Sequence, residues 1–203
     1  MLRIGLTGGI GCGKSTAVNA FSALGGAIVD ADQISKDLVK AGSSTLLKIV
    51  KKFGNDVLLP NGELNRIKLK EIVFSSAYSL EALEAIMHPE IKTKINRQIA
   101  ALSGSPYVIV DIPLLVEKNY TDMFDRIVVV DCLPKQQIAR VTQRDELSEA
   151  TIKSIMEKQA SREVRLKAAT DTLDNLGDIK ELEKQVISLH KQFLRKISSK
   201  EKR

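Results

Sequence analysis

Short runs of β-branched and other apolar residues alternate along the chain with stretches whose apolar positions recur every three or four residues. The runs occupy residues 2–7, 27–30, 107–111 and 126–131, with a weaker one at 172–174. Val and Ile are nearly continuous in them. This predicts strands covered on both faces, because a strand wetted on one side alternates apolar with polar residues. Helical spacing follows the first run at Val18, Phe21 and Leu24 and stops at Gly25-Gly26. It returns in the closing stretch at Ile179, Leu182, Val186, Leu189, Phe193 and Ile197, an apolar stripe suited to covering a sheet. The alternation predicts an α/β fold with a parallel five-stranded sheet sandwiched by helices.

One long stretch breaks this rhythm. From residue 37 to about 105 the spacing is mostly helical, with Leu46, Ile49, Val50 and Phe53 in one part and Ile91, Ile95, Ile99 and Leu102 in another. It predicts a helical insertion between the second and third strands, turned at Leu59-Pro60-Asn61-Gly62. The rest, about 1–36, 106–134 and 168–203, forms the core of what reads as a single domain.

The chemistry begins where the first strand ends. Residues 8–15 read Gly-Gly-Ile-Gly-Cys-Gly-Lys-Ser, an uninterrupted G-x-x-x-x-G-K-S between a predicted strand and a predicted helix. Gly8, Gly11 and Gly13 let the backbone curl until successive N–H groups face a phosphate chain, and Cys12 is small enough to fit the curl. Lys14 supplies a mobile charge for the β- and γ-phosphates, the Ser15 hydroxyl is placed to ligate Mg2+, and Thr16 opens the helix. A bound nucleoside triphosphate is expected.

Carboxylates follow at strand ends, the edge where α/β sheets take ligands. Asp30 and Asp32 close the second strand, and Asp32 is the candidate base for an acceptor hydroxyl. Its competing role is the N-cap of the helix that follows. Asp111 ends the third strand and is a candidate for the magnesium shell and the acceptor side of the site, or else a turn residue. Glu117 also suits a solvated helix. Further on, Arg140 and Arg144 share a helix face, with Arg162, Arg165 and Lys167 behind them. Either they close over phosphates, or they belong to an ion-paired helix with Asp145, Glu146, Glu149, Glu157 and Glu163.

Composition narrows the field. The net charge of +6 invites nucleic acid, yet aromatics are only 4% and no arginine-aromatic module occurs, so small polyanionic substrates explain the charge. Part of the excess is the basic tail at 195–203. No Asn-Lys-x-Asp run of a guanine-specific switch is present. With neither a leader-like segment nor an apolar stretch near membrane-spanning length, the chain is expected to be soluble and cytoplasmic. Cys12 and Cys132 form no C-x-x-C pair, which argues against a zinc site or a disulfide framework.

These features together resemble the dephospho-coenzyme A kinase family. The carriers are Leu6-Thr7-Gly8-Gly9-Ile10-Gly11, the phosphate loop, Asp30-Ala31-Asp32, Gly62-Glu63-Leu64-Asn65-Arg66, Ile86-Met87-His88-Pro89, Asp111-Ile112-Pro113-Leu114-Leu115, Gln143-Arg144-Asp145, and residues 159–165 leading to Asp174-Asn175. The resemblance implies transfer of a phosphoryl group from ATP, with Mg2+, to the 3′-hydroxyl of dephospho-coenzyme A. It implies that residues 37–105 grip the coenzyme A moiety and that about 135–167 form an arginine-bearing lid. Asp32 then sits at the acceptor hydroxyl, Arg66 and His88 on the acceptor side, Arg140 and Arg144 at the phosphates, and Asn175 by the adenine. His88 has a plainer alternative, as the residue just before a helix begun by Pro89. The implied partners are ATP and dephospho-coenzyme A, with no nucleic acid or membrane and a monomer favoured. Another small-molecule kinase would share the loop and lid but not the 62–66 and His88-Pro89 pair. Two departures stand out. Cys12 replaces the family's usual Ser, which makes the site oxidant-sensitive only if the thiol is exposed. Thr170 interrupts the usual Ala-Asp pair before Asp171.

Overall fold

The computed structural model describes residues 1–102 and 104–201. Lys202 and Arg203, the end of the basic tail, lie outside the described residues. Two compact units emerge, one of residues 1–29 with 102–203 and one of Asp30–Ala101.

The first unit carries the sheet. Strands β1 (Leu2–Gly8), β2 (Ala27–Asp30), β3 (Tyr107–Asp111), β4 (Arg126–Asp131) and β5 (Asp171–Asp174) lie in the order β2-β3-β1-β4-β5. The pairs β1–β3, β1–β4 and β4–β5 are parallel, with Leu6 opposite both Asp111 and Val128. The expected α/β class is borne out. Central strands are buried almost throughout, as their unbroken Val and Ile content requires. Helix α1 (Lys14–Ala23) packs Ala17 and Phe21 onto a core shared with β1, β3, β4 and the final helix, Ile179–Glu201. In that final helix Leu182, Val186, Leu189 and Phe193 are buried, whereas Ile179, at its first turn, is 60% exposed. The Phe21 ring stacks on Phe193 at 6.1 Å and meets Tyr107 edge-on at 6.4 Å. Such aromatic contacts add to burial itself.

The second unit is helical: α2 (Ala31–Leu38), α3 (Ser44–Phe53), α4 (Arg66–Phe74) and α5 (Ala77–Ala101). Its start signals are side chains that accept from main-chain N–H groups. Ser43 caps α3 through Leu46 N, and Asn65 caps α4 through Lys68 N. The expected turn at 59–62 is present, closed by a bridge between Leu58 and Leu64, with Gly62 at φ 80°. Val39, Ile49, Val57, Leu69 and Val73 form a small core of this unit's own. Among the described residues no helix is long and apolar enough to cross a membrane.

After β4 come α6 (Pro134–Asp145), α7 (Glu149–Glu157) and α8 (Arg162–Ala168), all in the first unit, and the chain closes with α9 (Ile179–Glu201).

Candidate active site

The loop between β1 and α1 is built as the motif predicts. Gly11 and Gly13 take φ values of 73° and 91°, which side chains disfavour, and Gly13 precedes α1 with no side-chain cap. The N–H groups of Thr16 and Ala17 donate to the Gly13 carbonyl, which leaves those of Lys14 and Ser15 for a ligand. Side chains from elsewhere hold the outer surface of the loop. Gln137 Nε2 donates to the Ile10 carbonyl at 2.7 Å, Ile10 N–H donates to Gln159 Oε1 at 3.0 Å, and Asn175 Nδ2 donates to the Cys12 carbonyl at 2.8 Å. The glycines are needed for these approaches too. A Cβ on Gly13 would lie 2.2 Å from Asn175 Nδ2, and one on Gly9 would lie 2.5 Å from Gln137 Nε2.

Lys14 Nζ is 2.5 Å from Asp111 Oδ1, with both side chains mostly buried. The contact follows from register: Leu6 is opposite Asp111, and Ile112 N–H donates to the Leu6 carbonyl at 3.0 Å. Lys14 and Asp111, far apart in sequence, thus meet at the end of adjacent strands. Ser15 and Thr16 occupy the first turn of α1, with Ser15 exposed. Among the described residues no group of three His, Cys, Asp or Glu side chains is arranged to hold a metal ion. A single hydroxyl donor suits a magnesium ion that keeps its waters and takes phosphate oxygens as its other ligands.

Cys12 is buried, so the condition for oxidant sensitivity is not met. Its sulfur is 3.1 Å from that of Cys132, also buried, and the two thiols are free. The hydrogen bond from Cys132 pulls the Cys12 ionisation down, helped by the field of Arg165, and the same bond with burial pushes Cys132 up.

The basic segment is three helices rather than one. Arg140 Nη2 donates to the Asn175 carbonyl at 2.9 Å, and its Nη1 is buried without a partner. Arg144 is exposed and bonded twice to Asp145, at 2.8 and 2.7 Å, which raises its pKa. Arg162 pairs with Asp131 at 2.6 Å. Arg165 is 6% exposed, and its Nη1 donates to the Ala160 carbonyl. The structure thus brings Lys14, Asp111, Arg140 and Asn175 around the loop, while Arg144 is turned to its chain neighbour. Asn175, which is buried, holds the loop through its side chain and Arg140 through its carbonyl. Glu117 is no solvated residue: its Oε1 accepts from Ala160 N–H at 2.8 Å and its Oε2 is buried.

Gln137 was missed from sequence and Gln159 noticed only within a motif. The available signal for Gln137 is its spacing four residues before buried Val141 on the inner face of α6, where a buried amide must find partners.

In the helical unit two expectations change. The N-cap of α2 is Asp30, whose Oδ1 accepts from Gln33 N–H at 2.9 Å, so the capping role weighed for Asp32 belongs to its neighbour. Asp32 stands exposed in the first turn. Pro89 does not begin a helix: it lies inside the 25-residue α5, with His88 one position before it. The apolar face of α5, buried at Ile95 and Ile99, carries the helix past the one bond that proline removes. Arg66 is the first residue of α4 and lines, with Lys36, Lys40 and Glu63, a cavity of about 500 Å³.

A family model described as dephospho-CoA kinase matches residues 2–181. A relative of that name from Nitrosospira multiformis is 42% identical over 195 residues, 96% of this chain and 97% of the relative. Among solved structures, TT1252 from Thermus thermophilus superposes with a TM-score of 0.82 at 28% identity, covering 94% of this chain and 97% of its own. A dephospho-CoA kinase from Campylobacter jejuni gives 0.72 at 27% identity, covering 94% and 96%. With a loop of this geometry and a match over nearly its whole length, the chain belongs to the dephospho-CoA kinase family.

Proposed function

We propose that this chain transfers the γ-phosphoryl group of ATP to the 3′-hydroxyl of dephospho-coenzyme A, giving coenzyme A and ADP, the last step of coenzyme A synthesis. What carries the reading is the coincidence of a braced phosphate loop with membership of a family named for that kinase activity. The work of the protein is positioning and charge. Main-chain N–H groups of Gly11, Gly13, Lys14 and Ser15 take the phosphates, those of Cys12 and Thr16 being turned to the Gly9 and Gly13 carbonyls. Lys14 exchanges part of its contact with Asp111 for the β- and γ-oxygens, and the side chain of Arg140 has one donor still unspent. Ser15, with Asp111 nearby, would hold Mg2+, which supplies charge neutralisation when bound. Asp32, freed from capping by Asp30, aligns the acceptor hydroxyl and receives its proton. Arg66 and His88 serve the acceptor, and Arg144 reaches phosphate only by releasing Asp145. No covalent enzyme intermediate is involved. One copy of the chain suffices, in the cytoplasm.

The test is ADP release from ATP and Mg2+ with a panel of acceptors, followed by location of the new phosphate by NMR. Acceptor-dependent release with dephospho-coenzyme A and a 3′-phosphate product is expected. Release with another nucleoside acceptor alone would overturn the proposal.

A further inference from the structure

Within the helical unit the start of α3 and one face of α5 line a cavity of about 360 Å³, with Ser44 and Thr45 on one side and Thr93, Lys94 and Arg97 on the other. It is separate from the cavity of Lys36, Lys40 and Arg66. At about 100° per residue, Thr93, Lys94 and Arg97 lie roughly 140–240° around α5 from His88, on the opposite face of the helix. The site therefore stands apart from both Arg66 and His88.

The two carboxylates that also line it, Asp37 and Glu90, are already answered. Asp37 meets Lys40 at 2.7 Å and accepts from Gln33 Nε2 at 3.0 Å, and Glu90 pairs with Lys48. Lys94 and Arg97 make no ion pair among the described residues, and the field of Lys94 reaches Asp37. The helix start adds donors. Ser43 takes the N–H groups of Leu46 and Leu47, through its hydroxyl and its carbonyl, while those of Ser44 and Thr45 have no acceptor among the described residues. Thr45 completes the set: it is 1% exposed, it lines the cavity, and its hydroxyl has no hydrogen-bond partner among the described residues. A buried hydroxyl left without a partner is costly, so its partner is expected from the cavity side.

We propose that this cavity is a second binding site of the chain, for a dianionic phosphate group borne by a small phosphomonoester or free as inorganic phosphate. The N–H groups of Ser44 and Thr45, the hydroxyls of Thr45 and Thr93, and the Lys94 and Arg97 side chains offer more donors than the oxygens of a carboxylate accept, and the pair of positive charges matches a dianion. The start of α3 contributes the favourable end of a helix dipole. The volume is near the small end of small-molecule sites, with room beyond the phosphate for a few carbon atoms. Nothing in this depends on the phosphate loop or on the transfer reaction.

The experiment is amide NMR of the full chain, saturated with ADP to occupy the phosphate loop and titrated with glycerol phosphate or inorganic phosphate at constant ionic strength. The amides of Ser44 and Thr45 should shift and saturate, and acetate should leave them in place. Tighter binding of glycerol phosphate would identify a phosphorylated molecule as the occupant, and equal binding the free ion. The double variant Lys94→Gln with Arg97→Gln changes surface charges alone and should weaken binding roughly tenfold or more, as the loss of charge-assisted contacts requires. Thr45→Val keeps the shape but not the hydroxyl, and should weaken binding without lowering the melting temperature. Absence of any shift at Ser44 and Thr45, or unchanged affinity in the double variant, overturns the proposal. So does a raised KM for dephospho-coenzyme A with unchanged kcat in the double variant, which would assign Lys94 and Arg97 to the acceptor instead.

Discussion

The phosphate loop and the helical unit handle their polar groups in opposite ways. Around the loop, Gln137, Gln159 and Asn175 each hold main-chain atoms that a ligand would not use, and Lys14 is already matched by Asp111. In the helical unit Asp32 and Arg66 stand at the surface in the first turns of α2 and α4, and the apolar core is a cluster of small extent. The donor cradle is thus braced by hydrogen bonds that its ligand need not supply. Asp32 and Arg66 stand exposed, where a larger and more flexible acceptor can reach them.

The sharpest way to break this comparison is at Lys14. Lys14→Ala should lower turnover by roughly 10³- to 10⁵-fold, the scale on which a single cation acts in phosphoryl transfer. Near-normal turnover, measured by ADP release, would remove the loop from the reaction. Next comes Asp32→Asn, with a loss of about 10²- to 10⁴-fold in turnover and little change in ATP affinity or melting temperature. Equal losses in turnover and ATP affinity would return Asp32 to a structural role.

A third effect separates the units by pH. Burial pushes the Tyr107 phenol, 2.7 Å from His190 Nδ1 in the sheet unit, up to about 12. Tyr78, in the helical unit, is pulled down by the hydrogen bond from Lys52 Nζ at 3.0 Å. An unfolded tyrosine ionises near 10. Between about 10 and about 12 the folded chain therefore keeps a proton at Tyr107 that the unfolded chain has released, and stability falls as pH rises through that window. The loss is roughly 2–3 kcal/mol at most. Phenolate absorbance should show Tyr78 ionising first, a step that vanishes in Tyr78→Phe. A single shared transition would show that the two environments do not differ.

The smallest effect is the cap. Asp30→Ala should cost about 1 kcal/mol of stability by denaturant unfolding, while Asp32→Asn costs far less. The reverse ranking would exchange the roles of the two carboxylates.

Much of the molecule was legible from local rules. Strand runs, the α9 stripe, the turn at 59–62 and the loop between β1 and α1 depend on residues close in sequence, whose periods and backbone preferences act before any distant contact forms. The competing role of Asp32 as the cap of α2 falls to Asp30, because both are good caps and only the point where the strand ends chooses between them. Pro89 misled for a related reason. Proline is suited to a first turn, but burial along α5 outweighs the missing hydrogen bond.

The sequence by itself determined the cradle, the α/β class and the supply of charges for handling phosphate, because a glycine-rich turn between strand and helix has one mechanical solution. Only the tertiary structure decided which charges are spent and which are held ready. Asp111 reaches Lys14 through strand pairing, Arg162 meets Asp131, and Gln159 reaches back to the Ile10 N–H. These pairings join positions up to about 150 residues apart, and no local pattern encodes a distance that packing alone creates.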